Sequence, residues 1–418
     1  MAKVTVSGGR TILVSGPASL ALIEGEASVL GAPIEKSQKI VVREERQIPV
    51  ETLRDSIFHL SLGEKSKLIE FQGSTIPTTW KEAADAVMQM ESGITIVIGD
   101  VDTGKTTFCT YLANSLLKTG VKVALIDADI GQADVGPPTT ISLTFVEDYT
   151  SGLSSLSAKA LFFTGHISPS PVMEKVIHGI EKLVALQRSS PHPAVINTDG
   201  WVADERAVAY KLRMANAVSP DLAVGIGNGP GVQSILENVK ATSIRIESPS
   251  IIRRRSREER RQLRERGYRK YLEKASPVVI PLDRVDLRFV SPKQIRVVSM
   301  KEVEEIGFEL GVNAVYAEET ADRIAVYTKG LPRAREVKLL KHNLRKEVEF
   351  ADFAEKQHSI IGLLDEEDFL LSIGILKDVD PKRRVLKAYA VPNEKVTTVE
   401  VGAVKLTEEG KELAYLGD

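Results

Sequence analysis

The sequence predicts an α/β core, a parallel sheet covered by helices, set between an N-terminal and a C-terminal β domain. Three observations support this. Between about Gly93 and Pro281, apolar runs recur with helical stretches between them. On both sides the pattern changes to short alternating strands punctuated by Gly and Pro. The first apolar run of the middle segment leads directly into Gly99-Asp-Val-Asp-Thr-Gly104-Lys105-Thr106, a glycine-rich turn before a helix beginning near Lys105.

Residues 1–78 contain KVTVSG, TILVSG, SLALIEG, KIVVREE and KLIEFQG, whose period of two and lack of a long helical repeat predict a small β-sandwich or barrel. STIPTTW (74–80) reads as a linker, and KEAADAVMQMES after it has helical spacing with Ala84, Val87 and Met88 on one face. In residues 79–282 the strands are ITIVIG, KVALID, KALFFTG, AVINTDG, LAVGIG and TSIRIE. Continuous Val/Ile/Leu runs alternating with helices indicate strands buried on both faces of a parallel sheet. From residue 283 to 418 strands return as IRVVSM, AVYTKG, SIIGLLD, LLSIGIL, VLKAYAV and VTTVEVGAVKL, a second β domain.

A chain of 418 residues exceeds one ordinary core, in keeping with this division. Its 43% hydrophobic and 27% charged residues suit a globular protein. No apolar run is long enough to span a bilayer, and MAKVTVSGGR lacks the apolar centre of a signal peptide. The single cysteine, Cys109, allows no internal disulfide or Cys-based zinc site and is expected to be packed inside; the expected compartment is a reducing cytoplasm. Net charge is −2, but Arg253–Lys270 alone carries +7, leaving about −9 for the remainder. So one-signed a run either folds as a solvated surface helix or meets a polyanion; Arg253, Arg257, Arg260 or Arg261, and Arg264 share a helical stripe that repels itself until neutralised.

The spacing G-x-x-x-x-G-K-[ST], between a buried strand and a helix, is that of a phosphate-binding loop. Its backbone N–H groups, from Gly99 through Asp100, Val101, Asp102, Thr103, Gly104 and Lys105 to Thr106 and Thr107, would surround phosphate oxygens at the positive end of the helix. Lys105 would bridge the β- and γ-phosphates of ATP or another NTP, and Thr106 would offer its hydroxyl to Mg²⁺. KVALID ends in Asp127-Ala-Asp129, carboxylates at a neighbouring strand tip that can divide the work between the metal's water shell and the nucleophile. The Asn-Lys-x-Asp base reader of a GTPase is missing after the later strands. An ATPase acting through an oligomer interface stays open. The Arg-rich segment 250–272 favours a kinase, whose mobile lid brings guanidinium groups to the transferring phosphoryl.

Four ordered motifs make the chain similar to the polynucleotide 5′-hydroxyl kinase family, which includes pre-mRNA cleavage-complex, pre-rRNA-processing and archaeal RNA kinases. They are the loop with Asp102 at its fourth position, Asp129-Ile-Gly131-Gln132, Phe163-Thr-Gly165-His-Ile-Ser168-Pro169, and Asn197-Thr198-Asp-Gly200-Trp201. The three-part layout is also the family's. The resemblance implies an ATP- and Mg²⁺-dependent kinase acting on single-stranded RNA, or DNA, 5′-OH ends. It implies Asp129 as the group that orients the 5′-OH and accepts its proton. Lys105, Arg255 and Arg260 would surround the phosphoryl group, with Arg264 as a third lid candidate and Asp127 supporting the metal. Gln132, Ser168, Pro169 and Arg264 would contact RNA, and Trp201 would either stack on the first base or pack beneath its loop. Where many relatives have Thr-Thr-Pro-Gly, this chain has Ile167-Ser-Pro-Ser170. A nucleotide-holding scaffold of an RNA-processing complex is the alternative. The β domains are open to base, RNA or protein partners.

Overall fold

A computed structural model describes residues 2–90, 92–251, 253–290, 296–330 and 347–416. The chain divides into two compact units: Met1–Gly136 with Ile141–Ala160 and Ile177–Leu263, and Pro137–Thr140 with Leu161–Val176 and Arg264–Asp418.

The first unit opens with two antiparallel sheets. One orders Ala2–Val6, Ser56–Leu62, Ala18–Glu24 and Lys39–Val42; the other orders Ala32–Pro33, Ala27–Val29, Gln47–Thr52, Arg10–Ser15 and Leu68–Gln72. The period of two does the work: Ala18, Leu20 and Leu22 are buried on one face of their strand, facing a core with Val14, Val50, Phe58 and Leu60.

STIPTTW is not a linker throughout. The helix begins at Thr78, after Pro77, and runs to Met88. Trp80 is fully buried, its indole N–H donating to the Glu247 carbonyl at 2.8 Å. Its ring meets Phe108 edge-on at 5.2 Å and Tyr111 at 5.9 Å, so it packs against the helix Lys105–Leu117.

The central sheet of this unit orders Thr140–Val146, Val123–Ala128, Ala194–Thr198, Ile94–Gly99, Leu222–Ile226 and Thr242–Ile246. The last five run parallel. Thr140–Val146, which the sequence reading passed over, joins antiparallel to Val123–Ala128. Because the inner strands are covered on both faces, Ile94–Gly99 and Val123–Ala128 are buried at every position. Gly99, Asp127 and Thr198 therefore stand near the C-terminal ends of three adjacent strands, where α/β sheets bind their ligands.

The Arg-rich helix spans Arg257–Leu272, shorter than the segment suggested. Ser256 caps it: its hydroxyl accepts from the Glu259 N–H at 3.1 Å, and the Glu259 carboxylate accepts from the Ser256 N–H at 2.7 Å. Arg253 thus precedes the helix instead of sharing its stripe, as Arg255 also does, and Arg253 pairs with Glu259 at 2.6 Å.

The second unit has a sheet ordered Ser276–Pro281, Val385–Ala390, Leu370–Asp380, Ser359–Leu364, Thr398–Leu406 and Asp286–Phe289. A smaller sheet orders Arg296–Val297, Ala314–Glu319, Arg323–Thr328 and Glu347–Asp352. Of IRVVSM, Ile295 lies outside the described residues, and only Arg296–Val297 is strand. Ser299 and Glu302 form a capping box that starts a helix at Met300–Leu310 instead.

Candidate active site

The glycine-rich loop closes between the buried strand Ile94–Gly99 and the helix Lys105–Leu117. Gly104 lies in the left-handed region at φ +99°, and Asp102 at φ +56°, the backbone reversal that turns N–H groups inward. Thr103 Oγ1 donates to the Asp100 carbonyl at 2.9 Å, and a Cβ on Gly99 would sit 2.6 Å from that hydroxyl. The Lys105 ammonium donates to the carbonyls of Gly99 at 3.0 Å and Asp100 at 2.8 Å. Burial lowers its pKa, while Asp129 and Asp199 oppose the shift.

Asp127 is wholly buried. Oδ2 accepts from the N–H groups of Asp134 and Val135 at 2.7 and 3.2 Å, and Oδ1 from Asn197 Nδ2 at 3.0 Å. Asn197 Nδ2 also reaches Thr106 Oγ1 at 3.3 Å, tying the second strand tip to the loop. Burial, then the neighbouring Asp134 charge, pushes the Asp127 carboxyl up to about 7. The oxygens of Thr106 and Asp127 are the hard donors Mg²⁺ prefers. Among the described residues no three His, Cys, Asp or Glu side chains form a metal-binding group.

Asp129 is half-buried, its Oδ1 accepting from the Gln132 N–H at 3.0 Å. Burial raises its pKa and Lys105 pulls it down. Gln132 Nε2 donates to the Gly131 carbonyl at 2.6 Å, while its buried Oε1 has no hydrogen-bond partner. Asp102 receives the start of the Arg-rich segment: Oδ2 accepts from the Arg255 N–H at 3.1 Å and from Arg260 Nη2 at 2.6 Å. Arg255 Nε is buried without a partner. One unit thus gathers Lys105, Thr106, Asp127, Asp129, Gln132, Arg255 and Arg260, leaving an unpartnered acceptor and an unpartnered donor.

Trp201, also in this unit, is half-exposed on the turn after Ala194–Thr198. Its indole N–H donates to Asp204 at 2.7 Å, and its ring lies over the buried Tyr210 at 5.7 Å and 32°. Ser168 and Pro169 belong to the second unit, just before the short helical turn Ser170–Val172 and the helix starting at Met173. Arg264 is there too, its Nε and Nη2 donating to the two Glu412 carboxylate oxygens at 2.5 and 2.8 Å.

The sequence reading missed four residues of this neighbourhood. Asn197 appeared only as a motif letter. Asp199 and Lys211 form a buried ion pair at 2.7 Å that interacts electrostatically with Lys105 and Asp129. Arg46, in the turn between Lys39–Val42 and Gln47–Thr52, pairs with Asp134. A Lys in an otherwise apolar helical face was the one available signal; the other pairings join residues far apart in sequence.

Residues 99–274 match the family described as mRNA cleavage and polyadenylation factor CLP1 P-loop. A Pyrococcus furiosus protein named polyribonucleotide 5′-hydroxyl-kinase is 31% identical over 323 residues, 77% of this chain and 90% of that protein. The chain belongs to the polyribonucleotide 5′-hydroxyl-kinase family. Its namesake from Pyrococcus abyssi is 30% identical, again over 77% of this chain and 90% of that one. The fold recurs in wild-type Clp1p, solved in complex with Pcf11p (454–563), at TM-score 0.66 and 12% identity over 97% of both chains. Membership in the kinase family makes the chain an enzyme and its glycine-rich loop the seat of a nucleotide, ATP.

Proposed function

We propose that this enzyme transfers the γ-phosphoryl group of ATP to the 5′-hydroxyl end of single-stranded RNA. The observation that carries the proposal is the grouping of Lys105, Asp129 and the Arg255–Arg260 segment around one phosphate-binding loop. The 5′ oxygen attacks the γ-phosphorus in line, the bond to the β,γ-bridging oxygen breaks, and ADP leaves. Asp129 holds the attacking hydroxyl and takes its proton; so weak a base takes it late, so alignment counts for more than basicity. Lys105 exchanges its two loop carbonyls for phosphate oxygens, which the inward N–H groups hold from the other side. Asp102 anchors the lid through Arg260 and the Arg255 backbone, leaving Arg255 Nε to meet the transferring group. Thr106, and Asp127 through water, would hold Mg²⁺, which would supply positive charge against the phosphate oxygens. Trp201 offers its outer face to the first base, a contact that accepts any base. DNA ends serve as well, because none of these contacts senses a 2′-hydroxyl. A cytoplasmic site of action is part of the same reading.

The test offers ATP with equal concentrations of 5′-OH oligoribonucleotide, 5′-OH oligodeoxyribonucleotide and free nucleoside, and identifies products by mobility and phosphatase sensitivity. Phosphatase-sensitive 5′ ends on the polynucleotides are expected. Phosphorylated nucleoside with unmodified oligonucleotides contradicts the proposal.

A further inference from the structure

We propose that Lys211 is a positioning residue for the RNA end: its buried ammonium fixes Asp199, and Asp199 fixes the turn that carries Trp201. This rests on the kinase reading above and deepens it. Lys211 lies on the helix Glu205–Val218 with its side chain 0% exposed. Its Nζ donates to Asp199 Oδ2 at 2.7 Å, and the Tyr210 hydroxyl donates to the same oxygen at 3.2 Å. The other carboxylate oxygen, Oδ1, accepts from the Trp201 backbone N–H at 2.9 Å. Tyr210 in turn lies beneath the Trp201 ring, with Lys211 Nζ 5.0 Å from the Tyr210 centroid. Both the backbone and the inner face of Trp201 therefore rest on residues that Lys211 touches.

The turn has little room to settle otherwise. A Cβ on Gly200 would lie 2.7 Å from Val101 Cγ2 and 2.9 Å from Val101 Cα, so the turn presses on the nucleotide loop. A buried ion pair adds little net stability over apolar side chains of similar volume, but it is directional. Direction is what a stacking platform needs, since a base must find the indole plane already in place.

The test measures binding of 3′-labelled oligoribonucleotides by fluorescence anisotropy with ADP present, so it does not depend on turnover. One oligonucleotide has an ordinary first nucleoside, the other an abasic one. Lys211→Met is expected to weaken binding of the base-bearing end about tenfold, with stacking as the interaction lost, while the abasic end and ADP change less than about twofold. A merely structural role would weaken both ends alike. Equal losses on the two ends, or none, overturn the proposal. If Lys211→Met does not fold, the double variant D199N/K211M removes both charges together, and the same two outcomes decide. Wild-type protein that binds both ends yet phosphorylates neither would sink the kinase reading while leaving the Lys211 comparison readable.

Discussion

Trp80→Ala probes how the packing supports the chemistry. Trp80 is fully buried, packed edge-on against Phe108 and at a tilt against Tyr111 of the helix that follows the nucleotide loop. A Cβ built on Gly104, the last loop residue, would lie 3.6 Å from Trp80 Cζ2, so the indole also floors the loop. Truncating a buried Trp costs about 3–5 kcal/mol in lost burial and residual cavity. The Glu247 carbonyl also loses its 2.8 Å donor, worth about 1 kcal/mol more. The expected loss is therefore about 4–6 kcal/mol, at the extreme of single substitutions. Trp80→Phe keeps most of the ring and loses the hydrogen bond, with an expected cost of about 1–2 kcal/mol. Guanidinium unfolding followed by far-UV circular dichroism measures both, and nucleotide titration measures the effect on the loop. A Trp80→Ala protein within about 1 kcal/mol of wild type and binding ATP normally would refute the packing argument.

Three further outcomes follow from the site. Lys105→Ala should abolish phosphoryl transfer and weaken triphosphate binding more than diphosphate binding, read by transfer assay and titration. Trp201→Ala should weaken binding of short oligonucleotides by roughly 1–3 kcal/mol with ATP affinity unchanged; unchanged oligonucleotide affinity would make Trp201 a packing residue. Burial, reinforced by Asp134, holds the Asp127 carboxyl near 7, above its unfolded value. In metal-free protein its contribution is thus full below the unfolded value and is lost as pH rises toward 7, and Asp127→Asn should flatten that slope of stability against pH.

What the sequence made legible follows from local rules. The loop's glycines, Lys105 and Thr106 could be read because strand, turn and helix are consecutive and each leaves a local signature. The core strands could be read because burial on both faces demands continuous apolar runs. Thr140–Val146 escaped because it returns antiparallel to Val123–Ala128 with no helix between them, which breaks the alternation of strand and helix. The helix starts at Thr78 and Met300 were set by burial of Trp80 and by the box of Ser299 and Glu302; the second was visible as Ser-x-x-Glu. The lid's register was likewise visible in Ser256-x-x-Glu259, although the charge stripe of the Arg run extends across that boundary. Asp102 with Arg260, and Arg46 with Asp134, stand 158 and 88 residues apart, a separation at which sequence spacing carries no geometric information.

The account is tested most directly by a single-turnover reaction with γ-labelled ATP and 5′-OH RNA, comparing wild type with Asp129→Asn. Nearly all wild-type label should arrive on RNA ends, while the variant should bind ATP normally and leave those ends unlabelled. Label released as free phosphate by the wild type, or ends labelled at the wild-type rate by the variant, would contradict it.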